Sequence, residues 1–484
     1  MELIKLLEVF YLNAKNFLNK VCEEIKYKPV RNGIFEELEQ HINEIKEENI
    51  NKGMQEQSAE EKAVLQMGDA QQIGKRLNKI HRPKLDWKLI ILISILIGFG
   101  VVVTIIKTSS NSIFPTTANI TNAITYILLG IVLSIGIYFF DYRKLKKYSN
   151  LIYIVATIIM LLARIPGIGT RVNGIVYARL LIFSYPVATV TLSLYLIAFI
   201  GFIVGNKKDN IIKIQLKNKE YIINKNLIKI AILSSISLAL MLINNSLSNL
   251  IILAGAYLVV LTIKIIKDKE NCTKKLTFIY STIFIVLLLG TTFSFFNNSF
   301  RWDRVMGSIN PEADPNGIGY VGMLQKETLE KAKIIGAAEN MSIPIDDSIL
   351  SIEGCYTFIY IIGKCGLLFG GIIALIVILT SIKLILNAKN IKEEYGKFLI
   401  MGLSLLFILQ SFATVLMNIN MGIQSNVNLP FVTYGGVYFI VNIVNMAIIL
   451  SVYRRKDVYM FEDEVKEKKN LKIGKLVVRV EKSN

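Results

Sequence analysis

The sequence predicts an all-α, polytopic membrane protein with about ten transmembrane helices, preceded by a small soluble helical domain. Three observations predict it. Of the 484 residues, 53% are hydrophobic and only 19% are charged, whereas a soluble domain carries about a quarter charged residues. Apolar runs long enough to cross a bilayer, roughly 17–25 residues, follow one another from residue 88 to residue 455. Basic residues collect in alternate connections between those runs, as a fixed membrane topology requires. This composition excludes a single soluble globular enzyme, a disordered chain and a disulfide-stapled secreted domain. Cys22, Cys272, Cys355 and Cys365 show neither metal-ligand spacing nor a disulfide framework, so no metal site is expected. His41 and His81 both precede the first apolar run, which excludes imidazole chemistry within the membrane. The net charge of +18 reads as membrane topology, and nucleic acid is not an expected partner.

Residues 1–87 read as a separate soluble piece of four helices without a signal peptide, because the charged start lacks a short n-region and a cleavage site. The first runs from about Leu3 to Ile25. The second, near Ile34 to Ile50, places Ile34, Leu38, Ile42 and Ile45 on one stripe and stops at Gly53. Ser58 with Glu61 suggests a capping box for a third helix ending at Met67-Gly68. Asp69 with Gln72 opens the fourth, which ends before Pro83. The segment through Arg31-Asn32-Gly33-Ile34, Glu37-Leu38, His41-Ile42 and Met67-Gly68-Asp69 resembles the prefix domain found ahead of some bacterial permeases. That resemblance implies a cytoplasmic regulatory or docking role; a plain helical bundle is the alternative.

The membrane domain is expected over 88–455, with spans near 88–106, 121–140, 150–164, 180–204, 226–243, 249–266, 276–296, 357–386, 397–417 and 431–453. Arg143, Lys144, Lys146 and Lys147 follow the second span, Lys207, Lys208 and Lys213 the fourth, Lys267 and Lys269 the sixth, and Arg454, Arg455 and Lys456 the last. The alternate connections carry almost none, so both termini, including the mixed-charge tail 456–484, are expected in the cytoplasm of a bacterium. The connection over 297–356 breaks the pattern by its length and holds Arg301, Asp303, Arg304, Glu312, Asp314, Glu339, Asp346, Asp347 and Glu353. A long polar loop on the outer membrane face is where chemistry on an extracellular substrate would be placed. A solvated lid without catalytic groups would have the same composition.

Asn428-Leu429-Pro430-Phe431-Val432-Thr433-Tyr434-Gly435-Gly436 resembles the "LPFVSYGG" signature of the FtsW/RodA/SpoVE family of shape, elongation, division and sporulation proteins. Arg301, Arg304, Asn310-Pro311, Asp314-Pro315 and Gly317-Ile318-Gly319-Tyr320 resemble the start of that family's large outer loop. Gly366 and Glu394-Tyr395-Gly396-Lys397 fit its eighth span and the following turn. The resemblance implies polymerisation of an undecaprenyl-linked peptidoglycan precursor, beside a transpeptidase (penicillin-binding protein) partner. That reaction needs a carboxylate to accept a proton and cations to hold the leaving pyrophosphate. No cofactor is expected, and a divalent cation at the pyrophosphate is compatible with the pattern. The resemblance suggests substrate-binding roles for Arg301, Arg304, Asp314, Pro430, Tyr434, Gly435 and Gly436. Lipid headgroups or Asp303 are alternative partners for the arginines, and tight helix packing is an alternative reason for the glycines.

The chain departs from the family at its ionisable positions. The family's outer acid at the start of span eight falls on Cys355 or Thr357, according to the alignment, and neither is acidic. Its span-four lysine falls on Thr191. Glu353, just upstream, is the candidate general base, with Asp347 beside Asp346 as the second candidate. Lys364 reads as a lysine inside the membrane edge that snorkels to the outer interface. Three function classes therefore stay open: an active membrane glycosyltransferase, a catalytically lapsed relative that binds the precursor or a partner, and a transporter of a lipid-linked sugar.

Overall fold

A computed structural model of the chain describes residues 14–110, 120–172, 175–180, 183–205, 211–216, 219–267, 273–296, 299–433 and 436–456. The chain forms two compact units, Met1–Leu85 with Tyr453–Asn484, and Asp86–Val452.

In the first unit, α1 (Ala14–Glu24), α2 (Arg31–Asn51), α3 (Glu56–Met67) and α4 (Ala70–His81) form a small bundle. Phe17, Leu18 and Val21 of α1, Ile34 and Ile42 of α2, and Ala59, Ala63 and Val64 of α3 make its core. The expected first helix is described only from Ala14, and its earlier residues lie outside the described range. Asp69 caps α4, accepting from the backbone N–H groups of Gln71 and Gln72 at 2.7 and 3.0 Å. Gly53 stops α2 with φ +89°. The expected capping box at Ser58 does not form: α3 starts three residues earlier, with Gln55 as its N-cap, which places Ser58 inside the helix.

The second unit carries α5 (Trp87–Ser109), α6 (Ile120–Phe139), α7 (Ser149–Leu162), α8 (Val187–Gly205), α9 (Lys225–Ile243), α10 (Leu247–Lys267) and α11 (Thr273–Phe296). After the long connection come α15 (Leu367–Lys389), α16 (Glu394–Asn418) and α17 (Gly436–Arg454). Among the described residues seven of these, α5, α6, α8, α10, α15, α16 and α17, are long and apolar enough to cross a membrane. The apolar parts of α7, α9 and α11 are shorter. The ten helices correspond one to one with the ten expected spans. Helix α8 packs against α7, α10 and α16 at the centre, and 78% of its apolar window is buried.

Two small sheets join the helices, which the all-helical expectation did not include. Strands β1 (Gly169–Val172), β2 (Ile175–Leu180) and β3 (Phe183–Pro186) form an antiparallel meander between α7 and α8. Strands β4 (Ile211–Leu216) and β5 (Lys219–Asn224) form a hairpin between α8 and α9. The fourth span is correspondingly shorter than expected, because residues 183–186 pair with β2 and the helix begins at Val187.

At the start of the second unit, the Asp86 side chain caps α5 by accepting from the Leu89 N–H at 3.3 Å. Its carboxylate also pairs with Lys383 at 3.0 Å and accepts from Asn387 Nδ2 at 2.6 Å. Three donors to one carboxylate that is 4% exposed meet the requirement that a buried charge be paired and hydrogen-bonded. They also fasten the first span to α15.

The long connection is structured. It contains α12 (Ser299–Ile309), α13 (Tyr320–Lys331) and α14 (Thr357–Cys365), with short helical turns at Ile345–Asp347, Ile349–Ile352 and Gly354–Tyr356. The expected eighth span, 357–386, is two helices. Gly366 breaks it with φ +102°, a conformation available to glycine without steric cost. A Cβ at Gly366 would lie 2.6 Å from the Ile334 carbonyl oxygen. Segment 333–338 runs along the break: Leu367 and Leu368 donate to the Lys333 and Ile334 carbonyls at 2.9 and 3.0 Å, and Gly336 and Ala338 donate back to Cys365 and Gly363 at 2.9 and 2.8 Å. The orphan N–H groups at the start of α15 are thereby satisfied. Only α15 spans. Lys364 lies in α14, before the break, and forms an ion pair with Asp346.

Candidate functional site

The turn that precedes α14 sits where the loop meets the spans. Ile349–Ile352 leads to Glu353 in extended backbone, and Gly354–Tyr356 makes one tight turn into the helix. Cys355 is 4% exposed, and its thiol donates to Glu353 Oε2 at 3.5 Å. Burial first, and then the Glu353 carboxylate, raise the Cys355 pKa well above the usual thiol value. The thiol stays protonated at neutral pH, so Cys355 is a donor to Glu353 and is neither base nor nucleophile. Tyr177 of β2 belongs to the same cluster: burial, then Glu353 and Cys355, raise its pKa.

Other elements hold this turn in place. Asn418 at the end of α16 is completely buried. It donates to the Cys355 carbonyl at 2.8 Å and accepts from the Ile359 N–H at 3.0 Å. Ile359 is the third residue of α14, one of the positions whose N–H lacks a partner within its own helix, so Asn418 serves as a cap supplied by another element. Thr433 Oγ1 donates to the Gly354 carbonyl at 3.2 Å, and a Cβ on Gly354 would meet Thr433 Cγ2 at 2.8 Å. The Asn428–Thr433 turn is thus packed onto the backbone that presents Glu353. Within that turn Phe431 is buried with φ +67°, a conformation that costs a non-glycine residue energy and concentrates at functional sites.

Two arginines approach from α12. Arg301 Nη2 donates to Asn245 Oδ1 at 3.2 Å, which ties α12 to the turn between α9 and α10. Burial, then Arg304, lower the Arg301 pKa, although a guanidinium stays protonated throughout the physiological range. Arg304 acts electrostatically on both Cys355 and Tyr356, lowering the pKa of each against the larger effect of burial. The arrangement therefore sets a carboxylate and a guanidinium about one buried turn.

A second polar group lies on α14. Tyr360 Oη donates to Asp346 Oδ1 at 2.8 Å, and Lys364 pairs with the other oxygen of that carboxylate. The Lys107 ammonium, at the end of α5, lies 4.9 Å from the centroid of the Tyr360 ring and within electrostatic reach of Cys355. Asp346 is thus engaged with α14 through both of its carboxylate oxygens. Asp347 N–H donates to the Pro344 carbonyl at 2.9 Å in the neighbouring turn.

The remaining sequence candidates are placed as follows. Asp314 is exposed, and its carboxylate accepts from the Ile318 N–H at 3.2 Å, closing the Asp314–Gly319 turn. Pro430 is buried within the turn that reaches Gly354. Gly436 opens α17 where a Cβ would collide with the Tyr126 ring, so close helix packing explains this glycine. Tyr434 and Gly435 lie outside the described residues.

A family model described as "Cell cycle protein", that of FtsW, RodA and SpoVE, matches residues 86–458. The chain belongs to the FtsW/RodA/SpoVE family. Its relatives include a "Probable peptidoglycan glycosyltransferase FtsW" of Trichlorobacter lovleyi, 21% identical over 380 residues, which span 76% of this chain and 92% of the relative. A protein of the same description from Nitrosomonas europaea is 23% identical over 395 residues, 78% of this chain and 94% of the relative. Two solved structures share the fold. One, described as "Structural coordination of polymerization and crosslinking by a peptidoglycan synthase complex", aligns with a TM-score of 0.56 at 16% identity, covering 77% of this chain and 98% of that one. The Thermus thermophilus rod shape determining protein RodA aligns with a TM-score of 0.53 at 13% identity, covering 77% and 97%.

The cluster about Glu353 contains three groups that the sequence did not single out, Tyr177, Lys107 and Asn418. Tyr177 was hidden because its segment was read as a connection and not as a strand. Lys107 was passed over because it directly follows the expected end of the first span at 106, where a flanking lysine is ordinary, whereas the helix continues to Ser109. Asn418 carried one available signal: an amide among apolar residues at the end of a span is costly unless its hydrogen bonds are made.

Proposed function

We propose that this protein is a membrane glycosyltransferase that polymerises an undecaprenyl-linked peptidoglycan precursor on the outer face of the bacterial plasma membrane, in cell division, the maintenance of shape or sporulation. Both termini are then cytoplasmic, and a penicillin-binding transpeptidase is the partner expected beside it. The observation that carries the reading is the Glu353 carboxylate held 3.5 Å from Cys355 Sγ. The family's acid position falls on Cys355 or Thr357, and Glu353 is an acid standing beside that thiol. In the proposed step a sugar hydroxyl attacks the anomeric carbon of the donor, and Glu353 accepts the hydroxyl proton. The new glycosidic bond forms as the bond to the pyrophosphate oxygen breaks, and the polyprenyl pyrophosphate leaves with the electron pair. Arg304, with Arg301 beside it, stabilises the charge that develops on the leaving group. A divalent cation at the pyrophosphate is compatible with this step, which otherwise uses the chain's own groups.

A second reading, a non-catalytic relative that captures the precursor, is favoured by Cys355 and Thr357 at the positions where the acid is expected. One experiment separates the two. Purified protein, with and without a candidate transpeptidase, is given labelled lipid-linked disaccharide-peptide. Long glycan strands and released undecaprenyl pyrophosphate establish the enzyme. Retained precursor without polymer establishes the binding relative.

A further inference from the structure

Most of α15 faces away from the protein: only 33% of its apolar window is buried. At its first turn Leu367, Leu368 and Phe369 are exposed, as expected of a span whose flank meets lipid. The long connection sets a second group of apolar side chains at the same level. Ile334 and Ile335 are 72% and 64% exposed. Leu367 and Leu368 donate to the Lys333 and Ile334 carbonyls at 2.9 and 3.0 Å, which fixes the isoleucine pair beside the first turn of α15. That helix has 23 residues. It is therefore about 34 Å long, against a hydrocarbon core of about 30 Å. Its first turn, and the isoleucines with it, lie at the boundary between headgroups and acyl chains.

The segment suits that boundary. Ile334-Ile335-Gly336-Ala337-Ala338 carries no ionisable side chain, and Lys333 and Glu339, which bracket it, form an ion pair with each other. Its backbone is tied to the protein: besides the two carbonyls, the Gly336 and Ala338 N–H groups donate to the Cys365 and Gly363 carbonyls at 2.9 and 2.8 Å. Irregular backbone can approach lipid only where its polar groups find such partners. Two exposed isoleucines, unfavourable in water, thus continue the lipid-facing flank of α15.

We infer that the 333–338 segment is a membrane anchor of the long connection, with Ile334 and Ile335 reaching the acyl chains of the leaflet on the loop side. Its occupant is ordinary phospholipid, so the inference stands whether or not the chain polymerises glycan. The connection is then no wholly solvated lid. Its middle is pinned to the bilayer at one end of α15, and the chain that leads on to Asp346 and the Glu353 turn starts from that anchor.

The test places one fluorescent reporter on the segment. Trp87 and Trp302 are the two tryptophans of the chain. Full-length protein carrying Trp87→Phe, Trp302→Phe and Ile335→Trp is reconstituted in phosphatidylcholine vesicles. A matching protein carries Leu65→Trp, at an exposed position of the first unit, in place of Ile335→Trp. The Ile335→Trp reporter is expected to emit at shorter wavelength than the Leu65→Trp one, to be quenched by lipid with brominated acyl chains, and to be shielded from acrylamide. Strong acrylamide quenching without an effect of the brominated lipid overturns the anchor. Shielding that appears only when a transpeptidase is added makes the pair a protein-docking surface and overturns it as well. Should these variants not fold, wild-type protein in phosphatidylcholine with a diazirine in its acyl chain answers the same question. Photolysis should leave adducts on Ile334 or Ile335, located by mass spectrometry. Adducts on α15 with none on either isoleucine overturn the inference.

Discussion

Replacing Asn418 tests whether the Glu353 turn is held by a single buried amide. Asn418 is fully buried and makes three contacts: to the Cys355 carbonyl at 2.8 Å, to the Thr414 carbonyl at 2.7 Å and from the Ile359 N–H at 3.0 Å. The Thr414 carbonyl belongs to the last turn of α16, and Thr414 Oγ1 also donates to the Val427 carbonyl at 3.0 Å. Asn418→Ala leaves the Ile359 N–H and the Cys355 carbonyl unsatisfied. Each unsatisfied buried group costs about 1–3 kcal/mol, so the two together cost roughly 2–6 kcal/mol. Because both lie in the turn that presents Glu353, polymerisation should fall at least about tenfold at temperatures where the variant is still folded. Thermal unfolding in detergent, followed by near-UV circular dichroism, and the glycan-polymerisation assay read the two effects. A variant with wild-type melting and wild-type polymer yield would refute the argument that Asn418 positions this turn.

Three further predictions follow from the same geometry. Asp86→Ala removes the cap of α5 and the acceptor of Asn387 Nδ2, and takes one partner from the half-buried Lys383, so it should destabilise the membrane unit by about 1–3 kcal/mol, whereas Asp86→Ala with Lys383→Met should recover part of that loss; thermal unfolding of the single and double variants measures both. Gly366→Ala forces a Cβ against the Ile334 carbonyl at positive φ, so it should cost more than about 1 kcal/mol and expose the 333–338 segment to protease, as limited digestion would show. Burial and Glu353 raise the Cys355 pKa, so its thiolate fraction, and with it maleimide labelling, should stay negligible from pH 7 to pH 9 and become appreciable only on unfolding; mass spectrometry of labelled peptides checks this.

Much of the membrane unit is legible in the sequence because hydropathy measures the quantity that puts a helix in a bilayer. Nine of the ten apolar runs became one helix each and the eighth became two, and even the short third run, ending near Arg164, is short in the structure at Ser149–Leu162. The break at Gly366 is not legible in that way. Thr357 to Leu386 is a nearly continuous apolar run, and what divides it is one glycine at positive φ together with four backbone hydrogen bonds from a loop segment distant in sequence. Averaging over a window removes both signals. The site shows the same division. Glu353 could be nominated because a single missing acid focused attention on its nearest substitute, and Arg301 and Arg304 because of their spacing. The convergence of Tyr177, Asn418, Thr433 and Lys107 on that turn depends on contacts between elements that are 59 to more than 200 residues apart in the chain, and no local pattern encodes it.

The most direct measurement compares Glu353→Gln with Cys355→Ala in the polymerisation assay, with lipid-linked precursor binding and melting temperature recorded for each. The account predicts that Glu353→Gln binds the precursor and melts as the wild type does while losing about 10²–10⁴-fold in polymerisation rate, the usual worth of a general base. It predicts that Cys355→Ala, which removes a protonated donor and leaves the carboxylate, retains most activity. Wild-type rates in Glu353→Gln, or abolished activity in a folded Cys355→Ala with Glu353→Gln unaffected, would contradict the assignment of Glu353 as the base.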